Sequence, residues 1–130
     1  MIQEFPNFTL NQKTTGKLPS LPFLDYKEAV LGHTYDLSVN IVPCRKMQEL
    51  NRQFRQIDKP TDILSFPLSD TSGEIFISLK ETKKMAKEFE RSYENFLAFL
   101  FIHGLVHLKG HDHGAPMEAL EVKYRRLFNI

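Results

Sequence analysis

Hydrophobic positions along this chain follow two periods, and the switches between them lay out most of its elements. From Tyr35 to Val42, Leu37, Val39 and Ile41 alternate with Asp36, Ser38 and Asn40, the two-residue period of a strand with one covered face. Pro43 stops that strand. Met47, Leu50, Asn51 and Phe54 then recur at helical spacing, predicting a helix whose polar positions include Arg45, Lys46, Glu49, Arg52 and Arg55, with a turn at 56–60. Ile63, Leu64 and Phe66 predict a strand over Thr61 to Pro67, ended by the proline, and 69–73 carries turn residues. Glu74 to Ser78 predicts a second strand, with Ile75 and Ile77 on one face and Phe76 on the other. Two strands this close in sequence are expected to be antiparallel neighbours. Ser78-Leu79-Lys80-Glu81 has the capping-box pattern of a helix start. Thr82, Met85, Ala86 and Phe89 form the expected inner face of that helix, and Lys80, Lys83, Lys84 and Lys87 a solubilising outer face.

The flanks are read the same way. Ile2 to Leu10 predicts a short early strand that Pro6 weakens. Phe23, Leu24, Tyr26, Ala29, Val30 and Leu31 predict a helix with Pro22 in its first turn and Gly32 at its end; His33, just beyond, is expected on the surface. Glu94 to Lys109 is apolar nearly all round, the mark of a helix at the centre of the core. Pro116 opens a last helix whose Met117, Leu120, Tyr124, Leu127 and Phe128 are expected to pack back on the body. The expected class is therefore α+β: a small mixed sheet with helices packed on it and one central buried helix. No internal repeat interrupts the pattern, and 130 residues suit one domain spanning 1–130.

Composition narrows the function classes only a little. A hydrophobic content of 42% with 25% charged residues is that of an ordinary globular protein. A formal net charge of +1 gives no overall argument for nucleic acid or membrane, so a polyanion site has to be a local patch. One such patch exists: Arg45, Lys46, Arg52, Arg55 and Lys59 against Glu49 and Asp58, an excess of three positive charges. Most of these suit a solvated helix face; Arg55, beside the turn, stands out. The single cysteine, Cys44, excludes an internal disulfide and fits a reducing compartment. With no secretory signal and no apolar run long enough to span a bilayer, a soluble cytoplasmic protein is expected.

The chemistry concentrates late in the chain, where four of the five histidines fall between His103 and His113. His103 and His107 stack on one helix face, Gly110 suits the helix stop, and the chain can then turn back to bring His113 towards them. Three imidazoles with one open position form a catalytic zinc arrangement; structural sites close the fourth position, usually with cysteine. The spacing matches the zinc-peptidase pattern H-E-x-x-H-x-x-G-x-x-H except that Gly104 stands where the glutamate base belongs. The motif thus keeps a zincin-like metal set and lacks the group that would take a proton from bound water. Zinc lowers the pKa of that water to roughly 7 by itself.

Three blocks together resemble the YbeY family of bacterial endoribonucleases, also called rRNA maturation factors. His103-Gly104-Leu105-Val106-His107-Leu108-Lys109-Gly110-His111-Asp112-His113 is similar to the family's H-G-x-L-H-L-x-G-Y-D-H. Leu50-Asn51-Arg52-Gln53-Phe54-Arg55 and Lys59 to Pro67 resemble its L-N-x-x-[YF]-R and K-P-T-D-V-L-S-F-P segments, and Gly73 to Ser78 its G-D-I-x-I-S strand. The chain departs by placing His111 where the family has tyrosine, beside the third ligand, and Val106 where it has leucine. Asp112 suits either a turn or a hydrogen bond to a ligand's far nitrogen.

The resemblance implies a zinc-dependent, single-strand-specific endoribonuclease that matures the 3′ end of small-subunit (16S) rRNA. It assigns one Zn2+ to His103, His107 and His113, with water or substrate in the fourth position. Arg55 receives a catalytic or phosphate-binding role. Single-stranded rRNA and the small ribosomal subunit follow as partners, with a ribosomal protein and an assembly GTPase implied by the family alone. Two cleavage routes stay open: zinc-bound water, or the RNA's own 2′-hydroxyl with zinc as a structural pin. A non-catalytic ribosome-assembly factor is the rival reading; a metallopeptidase is opposed by Gly104.

Overall fold

The computed structural model describes residues 2–110 and 114–130. A hairpin of β1 (Ile2–Phe5) and β2 (Phe8–Gln12) leads to α1 (Phe23–Leu31), β3 (Asp36–Ile41) and α2 (Cys44–Arg55). Then come β4 (Ile63–Ser69), β5 (Ser72–Ile77), α3 (Leu79–Glu88), α4 (Tyr93–Leu108) and α5 (Ala115–Leu127). The five strands make one mixed sheet in the order β1-β2-β3-β5-β4. β3 lies parallel to both β2 and β5, and the β1–β2 and β4–β5 pairs are antiparallel.

Strand alternation sorts the sheet into two covered faces. Leu37, Val39, Ile41, Ile75 and Ile77 are buried with Phe8 and Leu10 under α1, α4 and α5. The opposite face is smaller: Leu64, Phe66 and Phe76 pack with Met47 and Leu50 of α2. α4 is the central helix that its all-round apolarity predicts, with Leu97, Phe101, Ile102, Leu105 and Val106 fully buried. Phe101 meets the edge of Phe23 at 5.2 Å, joining α4 to α1. Lys109, just past α4, donates to the Val30 carbonyl at 2.9 Å.

Local signals mostly hold. The Ser78 hydroxyl accepts from the Glu81 N–H, as a capping box requires, and Gly110 has φ +97° past the end of α4. His33 is exposed with Nδ1 3.1 Å from Glu28 Oε1, and Lys27, wholly buried, donates from Nζ to the His33 carbonyl.

Four expectations change. The early strand is two strands, because Pro6 and Asn7 form a turn with Asn7 in the left-handed region at φ +61°. Pro67 does not end its strand: β4 is an edge strand, where a proline costs no interior pairing, and the register shifts between Pro67 and Ser69. Phe89 follows the last turn of α3 and is 54% exposed instead of inward. Leu127 is 65% exposed, whereas Phe128 beside it packs its ring against Tyr26.

Candidate functional site

Two histidines four residues apart on one buried helix have little freedom, and α4 brings both to the wall of one cavity. His103 and His107 line it together with Arg55, Thr61, Asp62 and Ser65, in a volume of about 470 Å³. Arg55 is the last residue of α2, and Gln56, left-handed at φ +57°, turns the chain away after it. A cation in the last turn complements the helix dipole, which Arg52 does as well. The two arginines differ in their partners. Arg52 lies 3.8 Å from Asp58, while Arg55 makes no ion pair among the described residues. The structure thus brings together residues 48 positions apart in the chain. The third expected ligand, His113, and its neighbours His111 and Asp112 lie outside the described residues. Among those that are described, no three His, Cys, Asp or Glu side chains are placed to share an ion.

The donor set still fits a metal, and the observation that says so is the partner of His103. Its Nδ1 lies 2.6 Å from Oε1 of Glu121, a buried residue of α5. A carboxylate oxygen accepts, so the ring nitrogen donates, and a neutral imidazole held this way carries its lone pair on Nε2 across the ring. A ligating histidine is normally held this way. Sequence reasoning missed Glu121, although a signal was present: it lies four residues after Met117 and three before Tyr124, on the inward stripe of α5.

Asp62 is the second residue that sequence reasoning passed over, though it stands inside the Lys59 to Pro67 block. Its Oδ1 accepts from the Ile63 N–H at 2.8 Å and from the Thr61 hydroxyl at 3.4 Å. Burial pushes its carboxyl above the usual aspartate range; these two hydrogen bonds and nearby His103 pull in the other direction without cancelling it.

Gly104, the position of the absent glutamate, faces the sheet. A Cβ there would stand 2.9 Å from Ile63 Cδ1 and 3.0 Å from Ser65 Oγ, and the Ser65 hydroxyl donates to the Gly104 carbonyl at 3.5 Å. Glycine lets α4 approach β4 closely. A glutamate would be driven into that packing.

A family model described as Endoribonuclease YbeY matches residues 12–126. The chain is similar to the Endoribonuclease YbeY of Carboxydothermus hydrogenoformans, 45% identical over 87 residues that cover 63% of this chain and 61% of the relative. It is similar to that of Halalkalibacterium halodurans, 36% identical over 115 residues, 76% of this chain and 72% of the relative. The match thus spans about three-fifths of the first of these relatives. A Thermotoga maritima protein solved in solution superposes with a TM-score of 0.67 at 28% identity, covering 94% of this chain and 89% of that one.

Proposed function

This chain belongs to the Endoribonuclease YbeY family, and from that premise we propose that it is a zinc-dependent endoribonuclease specific for single-stranded RNA. Its proposed role is maturation of the 3′ end of small-subunit (16S) rRNA during ribosome biogenesis in the cytoplasm. No helix among the described residues is long and apolar enough to cross a membrane. The observation that carries the reading is the shared cavity of Arg55, His103 and His107, with Glu121 behind His103.

His103, His107 and His113 would hold one Zn2+ in a zincin-like site with its fourth position open, and the ion would supply Lewis acidity towards water or a phosphate oxygen. Glu121 keeps His103 in the tautomer that offers Nε2. Arg55 places a planar two-pronged cation in the same cavity, where it would pair with phosphate oxygens and stabilise the charge that builds up as the bond to the leaving oxygen lengthens. Asp62 and Ser65 line the same cavity. Both histidines project from the packed α4, which fixes where their side chains start. The small ribosomal subunit is the proposed partner, together with a ribosomal protein and an assembly GTPase.

The test uses purified protein of measured zinc content, offered single-stranded RNA, duplex RNA and casein beside Arg55→Ala. We expect single-stranded RNA alone to be cut, and Arg55→Ala to lower kcat by about 10²-fold. Cleavage by the variant at the wild-type rate removes Arg55 from the mechanism. Binding to the small subunit without cleavage of any RNA establishes an assembly factor instead. A 2′,3′-cyclic phosphate on the product would show attack by the 2′-hydroxyl, with the metal in a structural role.

A further inference from the structure

A second cavity, of about 370 Å³, opens between α3, α4 and α5 and shares Asp62, Ile63 and His103 with the first. Its lining is mostly apolar, with Ile63, Met85, Leu100 and Met117 beside three phenylalanines. Phe89 stacks on Phe96 at 5.2 Å and 23°, and Phe96 on Phe99 at 5.8 Å and 17°. Phe96 is buried, but Phe89 at the end of the ladder is 54% exposed. The guanidiniums of Arg91 and Arg125 lie 4.6 and 5.0 Å from the centre of the Phe99 ring. Flat apolar walls with cations beside them, opening into the cavity that holds Arg55, suit a ligand with an aromatic plane joined to an anion.

We propose that this cavity is a nucleobase pocket, holding one unstacked base of single-stranded RNA next to the phosphate bound at Arg55, and that it favours adenine or cytosine over uracil. The inference rests on the endoribonuclease reading and adds a base preference to it. Unstacked bases are held on aromatic faces, and Phe89 leaves such a surface open. Selectivity comes from the polar wall. Asp62, Glu118 and Glu121 border the pocket, and carboxylate oxygens accept hydrogen bonds. The exocyclic amino group of adenine or cytosine donates to such a wall. Uracil has no amino group and offers that wall only its N3–H, flanked on both sides by carbonyl oxygens.

The test monitors the full-length chain, its methionine methyl groups labelled with carbon-13, as AMP, CMP, UMP or ribose 5-phosphate is added. Met85 and Met117 line the pocket, while Met47 is on the buried side of α2, against the opposite face of the sheet, and reports on folding. AMP and CMP should move the Met85 and Met117 signals and leave Met47 in place, with UMP binding several-fold more weakly. Phe89→Ala should weaken AMP binding on the order of tenfold, and Glu118→Gln, an exposed change, should narrow the gap to UMP. The pocket is refuted if ribose 5-phosphate moves the two signals as far as AMP does, if no nucleotide moves them, or if Phe89→Ala binds AMP as the wild type does. Equal affinity for UMP refutes the base preference. Wild-type cleavage of single-stranded RNA, measured in parallel, separates the two levels: cleavage with silent methionines removes the pocket and keeps the proposed activity, and responsive methionines without cleavage do the reverse.

Discussion

Changing Glu121 tests whether a residue outside the histidine motif sets the affinity for the proposed zinc. Its Oε1 accepts from His103 Nδ1 at 2.6 Å, a short contact of the charge-assisted kind. Such a bond contributes about 1.5–3 kcal/mol, against about 0.5–1.5 for a neutral one. His103 retains 29% of its side-chain exposure, so water replaces part of the loss and the lower half of each range applies. Glu121→Gln keeps the size and an accepting oxygen and loses the charge; about 1 kcal/mol is at stake, a several-fold fall in zinc affinity. Glu121→Ala removes the acceptor altogether and frees the ring to rotate. Its affinity should fall about 10–100-fold, the usual consequence of removing the group that orients a ligating histidine. Competition for zinc against a chromophoric chelator gives both numbers, and thermal unfolding of the metal-free proteins shows how much of the change is general destabilisation. Wild-type zinc affinity in Glu121→Ala, alongside loss of binding in His103→Ala, would refute the orienting role.

Other perturbations probe the packing and the electrostatics around the site. Gly104→Glu puts a carboxylate against Ile63, Ser65 and Ile75, where even a Cβ comes within 3.0 Å of Ile63. We expect a loss of several kcal/mol in urea unfolding and no casein cleavage, because overpacking and a buried charge act together; a stable variant that digests casein would overturn the account of that glycine. Asp62→Asn should change how stability depends on pH in the metal-free protein. Burial raises the Asp62 carboxyl above its ordinary value of 3.8, so Asp62 favours folding while it is protonated, and that contribution disappears as pH rises through its elevated folded value. The stability difference between the Asp62→Asn protein and wild type should therefore shift in favour of the variant as pH rises from 3.8 to neutrality, and a flat difference across that window would contradict the burial effect. Arg55→Lys should recover less than about a tenth of the activity that Arg55→Ala loses, since a lysine cannot form the two-pronged contact; full recovery would mean that charge alone suffices.

The hydrophobic periods alone determined what most segments do locally. A period of 3.6 or 2 is set by the backbone, so the helix at Phe23–Leu31, the strand at Asp36–Ile41 and the all-apolar α4 are legible before any contact is known. The Ser78 cap and the Gly110 stop are equally local, since each depends on a few residues of backbone geometry. The i, i+4 placement of His103 and His107 is local too. Apart from the β4–β5 hairpin, whose short connection already pairs it, segment partners were decided only by the tertiary structure. That β3 lies parallel between β2 and β5, each reached across a helix, depends on which faces can be buried together, and no window of sequence carries that. Edge position let β4 run through Pro67, which read locally as a stop. Arg55 could be singled out from its charge, but only the folding of α2 and α4 onto opposite faces of the sheet, with their ends meeting at β4, brings it to the histidines' cavity. Glu121 completes the contrast: its spacing in α5 announced that it points inward, and only the packing of α5 on α4 decided that it meets His103.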